Sequence, residues 1–286
     1  MGVDLTLHES ADQLGVHYMT VYRYVRLGLL RADKVKGTWR VLPSDLEAFQ
    51  QTAVEAVPEH GARRRAPWAE RLESRLEAGD AQGSWGVIEA ALASGAKLDD
   101  IYLELMAPAL QSIVSRSLVG ELDVSVERRA TVIAFRLVGR LGPRFTRRGR
   151  NKATVVVGAV SGETHGLGVA ITADILRQRG WEVSDLGVDV PASGFAYMAR
   201  TTDSIVAVGM SVLLGANLVS AVESIAAVRA VAPKILIVIG GTAVPNQDHA
   251  VSLGADHWAS DPRQFADLLD LIEPAALAAT RRTSVR

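Results

Sequence analysis

The run Thr154-Val-Val-Val-Gly-Ala-Val160, followed by the loop Gly162-Glu-Thr-His-Gly-Leu-Gly168, decides how the second half of this chain folds. Seven residues without a charge, most of them β-branched, read as a strand buried on both faces. The glycines end it, and helical spacing starts at about Gly168 and runs to Gln178. The alternation then repeats. Strand two falls at about Glu182 to Gly187, strand three at Ile205 to Met210, strand four at Lys234 to Ile239, and a short fifth near His257 to Ala259, with helices between them. Strands that alternate with helices predict an open parallel α/β sheet, flavodoxin-like, over residues 152–274. A tail rich in Arg and Thr follows over 275–286.

In such a sheet, ligands sit beyond the carboxyl ends of the strands. Three groups fall there: Glu163, His165 and Gly168 after strand one, Ser211 and Leu213 after strand three, and Gly240 and Gly241 after strand four. A carboxylate two residues before a histidine can hold the imidazole in one tautomer and raise its basicity, which suits a metal ligand. Glycines let a bulky cofactor approach the backbone. A dinucleotide site is the rival, since Gly166-Leu-Gly168 opens a helix after a strand, and Asp185 or Asp189 would serve the ribose. Its third glycine is missing, because Ile171 stands in that place.

Upstream, residues 67–146 read as helix throughout. Trp68, Leu72 and Leu76, then Val87, Ile88, Ala91 and Leu92, mark two helices split near Gly79-Asp80. Leu98 to Leu118 and Val126 to Leu141 mark two more, with Gly120 and Gly142-Pro143 at their ends. Short joints between four helices predict a bundle. Thr146 to Lys152 is basic and reads as a solvated linker, with a second DNA contact as the alternative. Residues 53–66, with Pro58, Gly61 and three consecutive arginines, form a second linker.

Residues 1–52 are organised differently. Thr6 with Glu9, and Ser44 with Glu47, have the spacing of capping boxes. Between them Ala11, Leu14, Val16, Val21 and Val25 recur at helical spacing, so Val21 and Val25 face inward. Tyr18, Tyr22, Arg23 and Arg26 then face out. Lys34-Val-Lys-Gly-Thr-Trp-Arg-Val41 alternates around Gly37, as a hairpin would. Six basic residues and one acid lie between Arg23 and Arg40, although the whole chain of 286 residues carries a net charge of −1. That local excess is the electrostatic footprint of a nucleic-acid contact. Arg and Tyr on an exposed helix can reach base edges and phosphates.

The chain has no cysteine, which excludes disulfides, thiolate metal sites and cysteine nucleophiles and fits a reducing cytoplasm. Ser204 to Val222 has no charge and nears membrane-spanning length. Gly209, Ser211, Gly215 and Asn217 interrupt it, so a strand, a loop and a helix are expected there, and no membrane contact. No nucleophile–base pattern, paired-carboxylate site or phosphate loop stands out, so the chain is not expected to be an enzyme.

Ser10-Ala-Asp-Gln-Leu-Gly15, Thr20-Val-Tyr-Arg-Tyr24, Gly28-Leu-Leu30 and Gly37-Thr-Trp-Arg-Val41 resemble the winged helix-turn-helix of MerR-like and excisionase-type proteins. The resemblance implies that the hairpin is a wing, with Lys36 and Arg40 against the DNA backbone. Glu163, His165, Gly168, Ser211, Leu213, Gly240 and Gly241 resemble the pattern of a cobalamin-binding domain, with Glu163 where Asp is commoner. That implies His165 as lower cobalt ligand and a slot past Ser211 and Gly240-Gly241 for the displaced nucleotide tail.

The order of winged helix, bundle and cobalamin domain resembles the light-sensing MerR-type repressors of carotenoid synthesis. In them the bundle caps the upper face of adenosylcobalamin with a Trp, a Glu and a His. Alignment through Gly120-Glu121 puts Ser117, Glu127 and Arg128 at those positions. Glu127 keeps its role. Ser117 has no aromatic face, and Arg128 stays protonated and cannot ligate a metal.

The reading is a cytoplasmic, homodimeric or homotetrameric regulator of double-stranded DNA. A cobalamin, adenosylcobalamin or another form, sets its oligomeric state or DNA affinity, with a light response implied by the family. The alternatives are a regulator with a degenerate pocket that acts through protein partners or another ligand, and a corrinoid carrier for methyl transfer.

Overall fold

A reciprocal pair of hydrogen bonds opens the first helix. The Thr6 amide donates to Glu9 Oε2 at 2.7 Å, and the Glu9 amide donates to Thr6 Oγ1 at 3.2 Å, which is the expected capping box. The structure, a computed structural model, describes residues 5–14, 21, 25, 30–35, 38–46, 67–147, 149 and 151–271. The chain divides into two compact units, 1–66 and 67–286.

In the first unit, β1 (Leu5–Thr6) leads directly into α1 (Leu7–Leu14). β2 (Asp33–Val35) and β3 (Thr38–Val41) pair antiparallel, as their alternation predicts. β1 adds to the other edge of β3, with Leu5 opposite Val41 and Thr6 opposite Arg40. That third strand is too short for any period to announce it. Leu7, Val21, Val25, Leu30, Val41 and Leu46 form the core of the unit, so Val21 and Val25 do face inward. Glu47 of the second expected capping box lies outside the described residues.

The second unit begins with α2 (Trp68–Ala78) and α3 (Ala81–Ala93). Gly79 takes the left-handed φ of +74° that ends α2, and Asp80 caps α3 by accepting from the Gly83 amide at 2.7 Å. The next helix was expected to run unbroken from Leu98 to Leu118. It is interrupted: α4 (Leu98–Asp100) passes through a π-helical turn (Ile101–Met106) into α5 (Ala107–Leu118). Pro108 accounts for the irregularity. It has no amide for the carbonyl of Glu104, and its ring presses on that carbonyl, so the helix widens one turn earlier. α6 (Val124–Leu141), capped by Asp123, runs into a 3₁₀ turn (Gly142–Phe145).

The α/β part follows as β4 (Thr154–Ala159), α7 (Leu167–Gln178), β5 (Glu182–Asp185), α8 (Ala192–Thr201) and β6 (Ile205–Ser211). Then come α9 (Leu218–Val231), β7 (Leu236–Gly240), α10 (Gln247–Ser252) and β8 (His257–Ala259). A helix over 262–271 ends the described chain. The five strands are parallel, in the order β5-β4-β6-β7-β8. This is the flavodoxin-like order, and the direction of winding reverses between β4 and β6.

Alternate residues of β4 serve opposite faces of the sheet. Val156 and Val160 join α8 and α9 in one core. Val155, Val157 and Ala159 pack with α7 and Phe265, and that core continues without a break into Leu72, Ile88, Tyr102, Ile133 and Leu141 of the helices. Bundle and sheet therefore share one core. The expected boundary between them is a change of secondary structure inside one compact unit. Nor is the basic stretch before β4 wholly a solvated linker, because Lys152 pairs with Asp270 at 2.9 Å and lies 5.2 Å from the Trp181 ring centroid.

A polar bond crosses this shared core. Buried Tyr102, in the π turn, donates its hydroxyl to Asp174 Oδ2 at 2.8 Å and stacks on Phe145. Arg177 bonds the other oxygen of Asp174 at 3.1 Å. At a second point Arg263, on the last helix, bonds Asp99 at 2.9 Å and Asp100 at 3.1 Å, beside the same π turn.

Candidate functional site

The loop between β4 and α7 is built around one buried carboxylate. Glu163 has no exposed side-chain surface, while the side chain of His165 is about half exposed. Oε1 of Glu163 lies 2.5 Å from Nδ1 of His165. Oε2 accepts from the Leu213 amide at 2.8 Å, the Leu214 amide at 3.1 Å and the Asn217 side-chain amide at 3.2 Å. Burial pushes the Glu163 carboxyl up, but the bonds from His165, Leu213, Leu214 and Asn217 outweigh it and hold the acid at about 2, below its ordinary 4.5.

An ionised Glu163 can only accept a hydrogen bond. The proton shared with His165 therefore sits on Nδ1. The site offers Nε2 of an oriented imidazole as the ring nitrogen that a metal could take.

The rest of the loop is held from β5. Asp189, with a positive φ of 52°, accepts from the Gly162 amide at 2.7 Å and from the Ser161 hydroxyl at 3.2 Å. Its own amide donates to the Glu163 carbonyl at 3.0 Å. Asp189, weighed above as a ribose partner, instead braces the histidine loop. Gly162 has φ +82°, and a Cβ there would stand 2.7 Å from Asn217 Oδ1, so a larger residue would push Asn217 off Glu163.

Behind the loop a cavity opens at the carboxyl ends of β4, β6 and β7. Gly168, Ser211, Leu213, Gly240 and Gly241 all line it, as their strand-end positions predict, together with Thr172 and Phe265. The glycines differ in role. Gly240 and Gly241 are required by the backbone, since a Cβ would lie 2.6 Å from the Ala259 carbonyl and 2.2 Å from the Val212 carbonyl respectively. At Gly168 a Cβ would meet nothing within 4 Å and would enter the cavity. Leu213 joins the two halves of the site, because it lines the cavity and its amide bonds Glu163.

These features fit a corrinoid. Among the described residues no group of three or more His, Asp or Glu side chains could hold a bare metal ion. A single imidazole suits a metal that arrives with the rest of its ligands. The cavity kept open by Gly168 suits a tail that must pass beside the histidine.

The sequence missed Asn217 and Asp189, which reach the loop from distant segments, and it missed Phe135. Phe135, on α6, is exposed, and its ring edge would lie 3.5 Å from a Cβ at Gly166, next to His165. Glu127 lies one turn into α6, half-buried, and is not among the cavity-lining residues. Ser117 is half-buried near the end of α5, and Arg128 is exposed. Of the expected DNA contacts, Tyr18, Tyr22, Arg23, Arg26 and Lys36 lie outside the described residues. Arg40 is placed on β3, half-buried, opposite Asp33 and Thr6. Among the described residues no helix is long and apolar enough to cross a membrane.

Comparison with known proteins adds identity to this geometry. Residues 153–264 match the model of the B12 binding domain, and residues 5–53 match that of a helix-turn-helix domain. The chain thus carries both domains. A corrinoid protein of Desulfitobacterium hafniense is 29% identical over 126 residues, covering 43% of this chain and 57% of that protein. A methionine synthase of Mycobacterium tuberculosis is 26% identical over 218 residues, covering 73% of this chain and 18% of that enzyme. The second match is longer than everything from residue 153 onward, so it takes in helices of the bundle. This chain thus spans little more than half of one relative and a fifth of the other. A monomethylamine corrinoid protein of Methanosarcina barkeri shares the fold, with a TM-score of 0.63 at 16% identity over 71% of this chain and 96% of that one.

Proposed function

We propose that this chain is a DNA-binding transcription regulator, and not itself an enzyme, whose DNA affinity or oligomeric state is set by a cobalamin held on His165. One observation carries the reading. On a chain that also has a helix-turn-helix domain, a buried, fully bonded Glu163 fixes Nδ1 of the half-exposed His165, in a loop that leads to Gly168, which lines a cavity with Ser211, Gly240 and Gly241. When bound, the corrinoid would supply a cobalt centre able to exchange a ligand.

The chain's own residues do the rest. His165 would take the lower face of the metal, and Glu163 holds its tautomer. Asn217 and the Leu213 and Leu214 amides keep Glu163 ionised, and Asp189 fixes the loop. Gly168, Ser211, Gly240 and Gly241 would admit the nucleotide tail. Phe135, on α6, stands beside Gly166 and so borders the loop that carries His165. With Ser117 and Arg128 at two of the upper-face positions, the light switch of the MerR-type light-sensing repressors is not proposed. The reading includes a cytoplasmic location, and a dimer or tetramer on a duplex operator follows from the short reach of one winged helix.

A second reading is a corrinoid carrier for methyl transfer. It is favoured by one observation, the likeness in fold of bundle and sheet together to a corrinoid protein. The helix-turn-helix domain favours the regulator. The test is a visible spectrum in the dark after mixing the full chain with adenosylcobalamin or methylcobalamin, with His165→Ala as control, followed by gel shift of an operator-containing duplex. A histidine-ligated spectrum lost in the variant, with a shift that changes with cobalamin, is expected. No binding of any corrinoid would leave a degenerate pocket. Corrinoid binding without any DNA shift would favour the carrier.

A further inference from the structure

A positively charged face runs along α6 and the 3₁₀ turn after it. From Arg128 to Lys152 the sequence holds nine basic residues and no acid, within a chain of net charge −1. Arg136, Arg140, Arg144 and Arg147 are all exposed. Among the described residues none of these four has a carboxylate within ion-pairing distance. Elsewhere in the same unit Arg75, Arg116, Arg177, Arg179, Arg229 and Arg263 are each paired with an acid. Arg71 and Arg200 are unpaired too, but these four fall within twelve consecutive residues.

The face is also ordered. Arg136, Arg140 and Arg144 follow one another at intervals of four, up one side of the helix and its continuation. The Arg140 guanidinium lies 3.8 Å from the centroid of buried Trp85, and that of Arg144 lies 5.6 Å from it. A guanidinium laid on an aromatic ring keeps its N–H fork while losing little further freedom on binding. Like charges four apart cost a helix about 0.2–0.5 kcal/mol per pair. The helix dipole offsets this for Arg140 in the last turn of α6, but not for Arg136 or Arg147.

We propose that this face binds the sugar-phosphate backbone of duplex DNA, as a contact additional to the helix-turn-helix domain. The proposal rests on the reading of the chain as a DNA-binding protein. Duplex DNA is the polyanion that the first unit points to. From Arg136 to Arg144 the track covers about 12 Å of helix axis. Over that rise one strand of B-DNA presents about three to four phosphates.

The test uses the full chain on a random-sequence duplex, with affinity measured between about 50 and 200 mM salt. Arg136→Gln/Arg140→Gln/Arg144→Gln is expected to make the slope of log affinity against log salt shallower by about 2 to 3 and to weaken binding about tenfold or more, equally across sequences. Arg136→Lys/Arg140→Lys/Arg144→Lys keeps the charge and should restore the slope. Arg71→Gln/Arg200→Gln, at exposed unpaired arginines elsewhere in the unit, should leave it unchanged. An unaltered slope in the glutamine variant, or an equal loss in the Arg71 and Arg200 control, overturns the proposal while the regulator reading stands. Loss of binding to single-stranded RNA but not to duplex overturns it as well. A wild-type chain that binds no duplex at all overturns both.

Discussion

Two carboxylates, eleven residues apart, are both taken out of water, and their affinities for a proton are moved in opposite directions. Glu163, in the loop before α7, is fully buried and is held at about 2. Asp174, in the middle of α7, is nearly as buried, yet its carboxyl is raised above the ordinary 3.8. Burial is the main cause, and the bonds from Tyr102 and Arg177 only partly oppose it. Burial acts in the same direction on both. The difference lies in the donors. Glu163 collects an imidazole, two backbone amides and a side-chain amide. Asp174 receives one phenol and one guanidinium. The first arrangement fixes a charge that orients a ligand. The second ties a helical bundle to a sheet.

The largest expected effect comes from Asp174→Leu. It leaves the buried Tyr102 hydroxyl without its short partner and Arg177 without its acid, and it should cost about 3–5 kcal/mol in urea unfolding. Corrinoid affinity of the folded fraction should stay as it was. A large fall in that affinity would mean that the latch and the site are one device. Glu163→Gln should act on the site as well as on stability. The amide can still accept from Leu213 and Leu214, but it no longer demands a proton on Nδ1 of His165. Corrinoid affinity, read by titrating the visible spectrum, should drop about 10–100-fold, and the unfolding midpoint near neutral pH should fall because the stabilisation from the ionised Glu163 is lost. Tyr102→Phe removes a single bond to a residue that keeps Arg177, and about 1–2 kcal/mol is expected.

The effect that most sharpens the contrast is in pH. The folded-state value of Glu163 is depressed. Its stabilisation is therefore complete above about 4.5 and is lost as pH falls through about 2. The value of Asp174 is raised. Its contribution is greatest below 3.8 and declines as pH rises through its folded value. Unfolding free energy against pH should be flatter on the acid side in Glu163→Gln. In Asp174→Asn, stability relative to wild type should rise as pH goes above 3.8. Profiles that overlay the wild type in both variants would remove the distinction.

The two carboxylates were not equally legible. Glu163 could be read because its chemistry is local: the histidine it serves is two residues away, and the glycine that opens the cavity is five. Ser211, Leu213, Gly240 and Gly241 were legible through the rule that loops at strand ends share one pocket. Asn217 and Asp189 were not, because their roles exist only once β5 and β6 flank β4. Asp174 is one polar residue in a helical stretch, and nothing in its neighbourhood names Tyr102, 72 positions earlier. Phe135 is illegible for a related reason. The resemblance points to Ser117 on α5, whereas the aromatic that comes near His165 stands on the next helix.

The π turn at Ile101–Met106 has a consequence for how this chain tolerates insertion and deletion. A π turn holds one residue more than the α-helix would, so it sets the angular phase of everything after it. Tyr102 points at Asp174, and Asp99 and Asp100 meet Arg263, only in the present phase. Removing one residue between Glu104 and Pro108 would turn these groups by about 100° relative to α5. The turn acts as a clutch between two halves of one helix, one geared to the sheet and the other to the bundle.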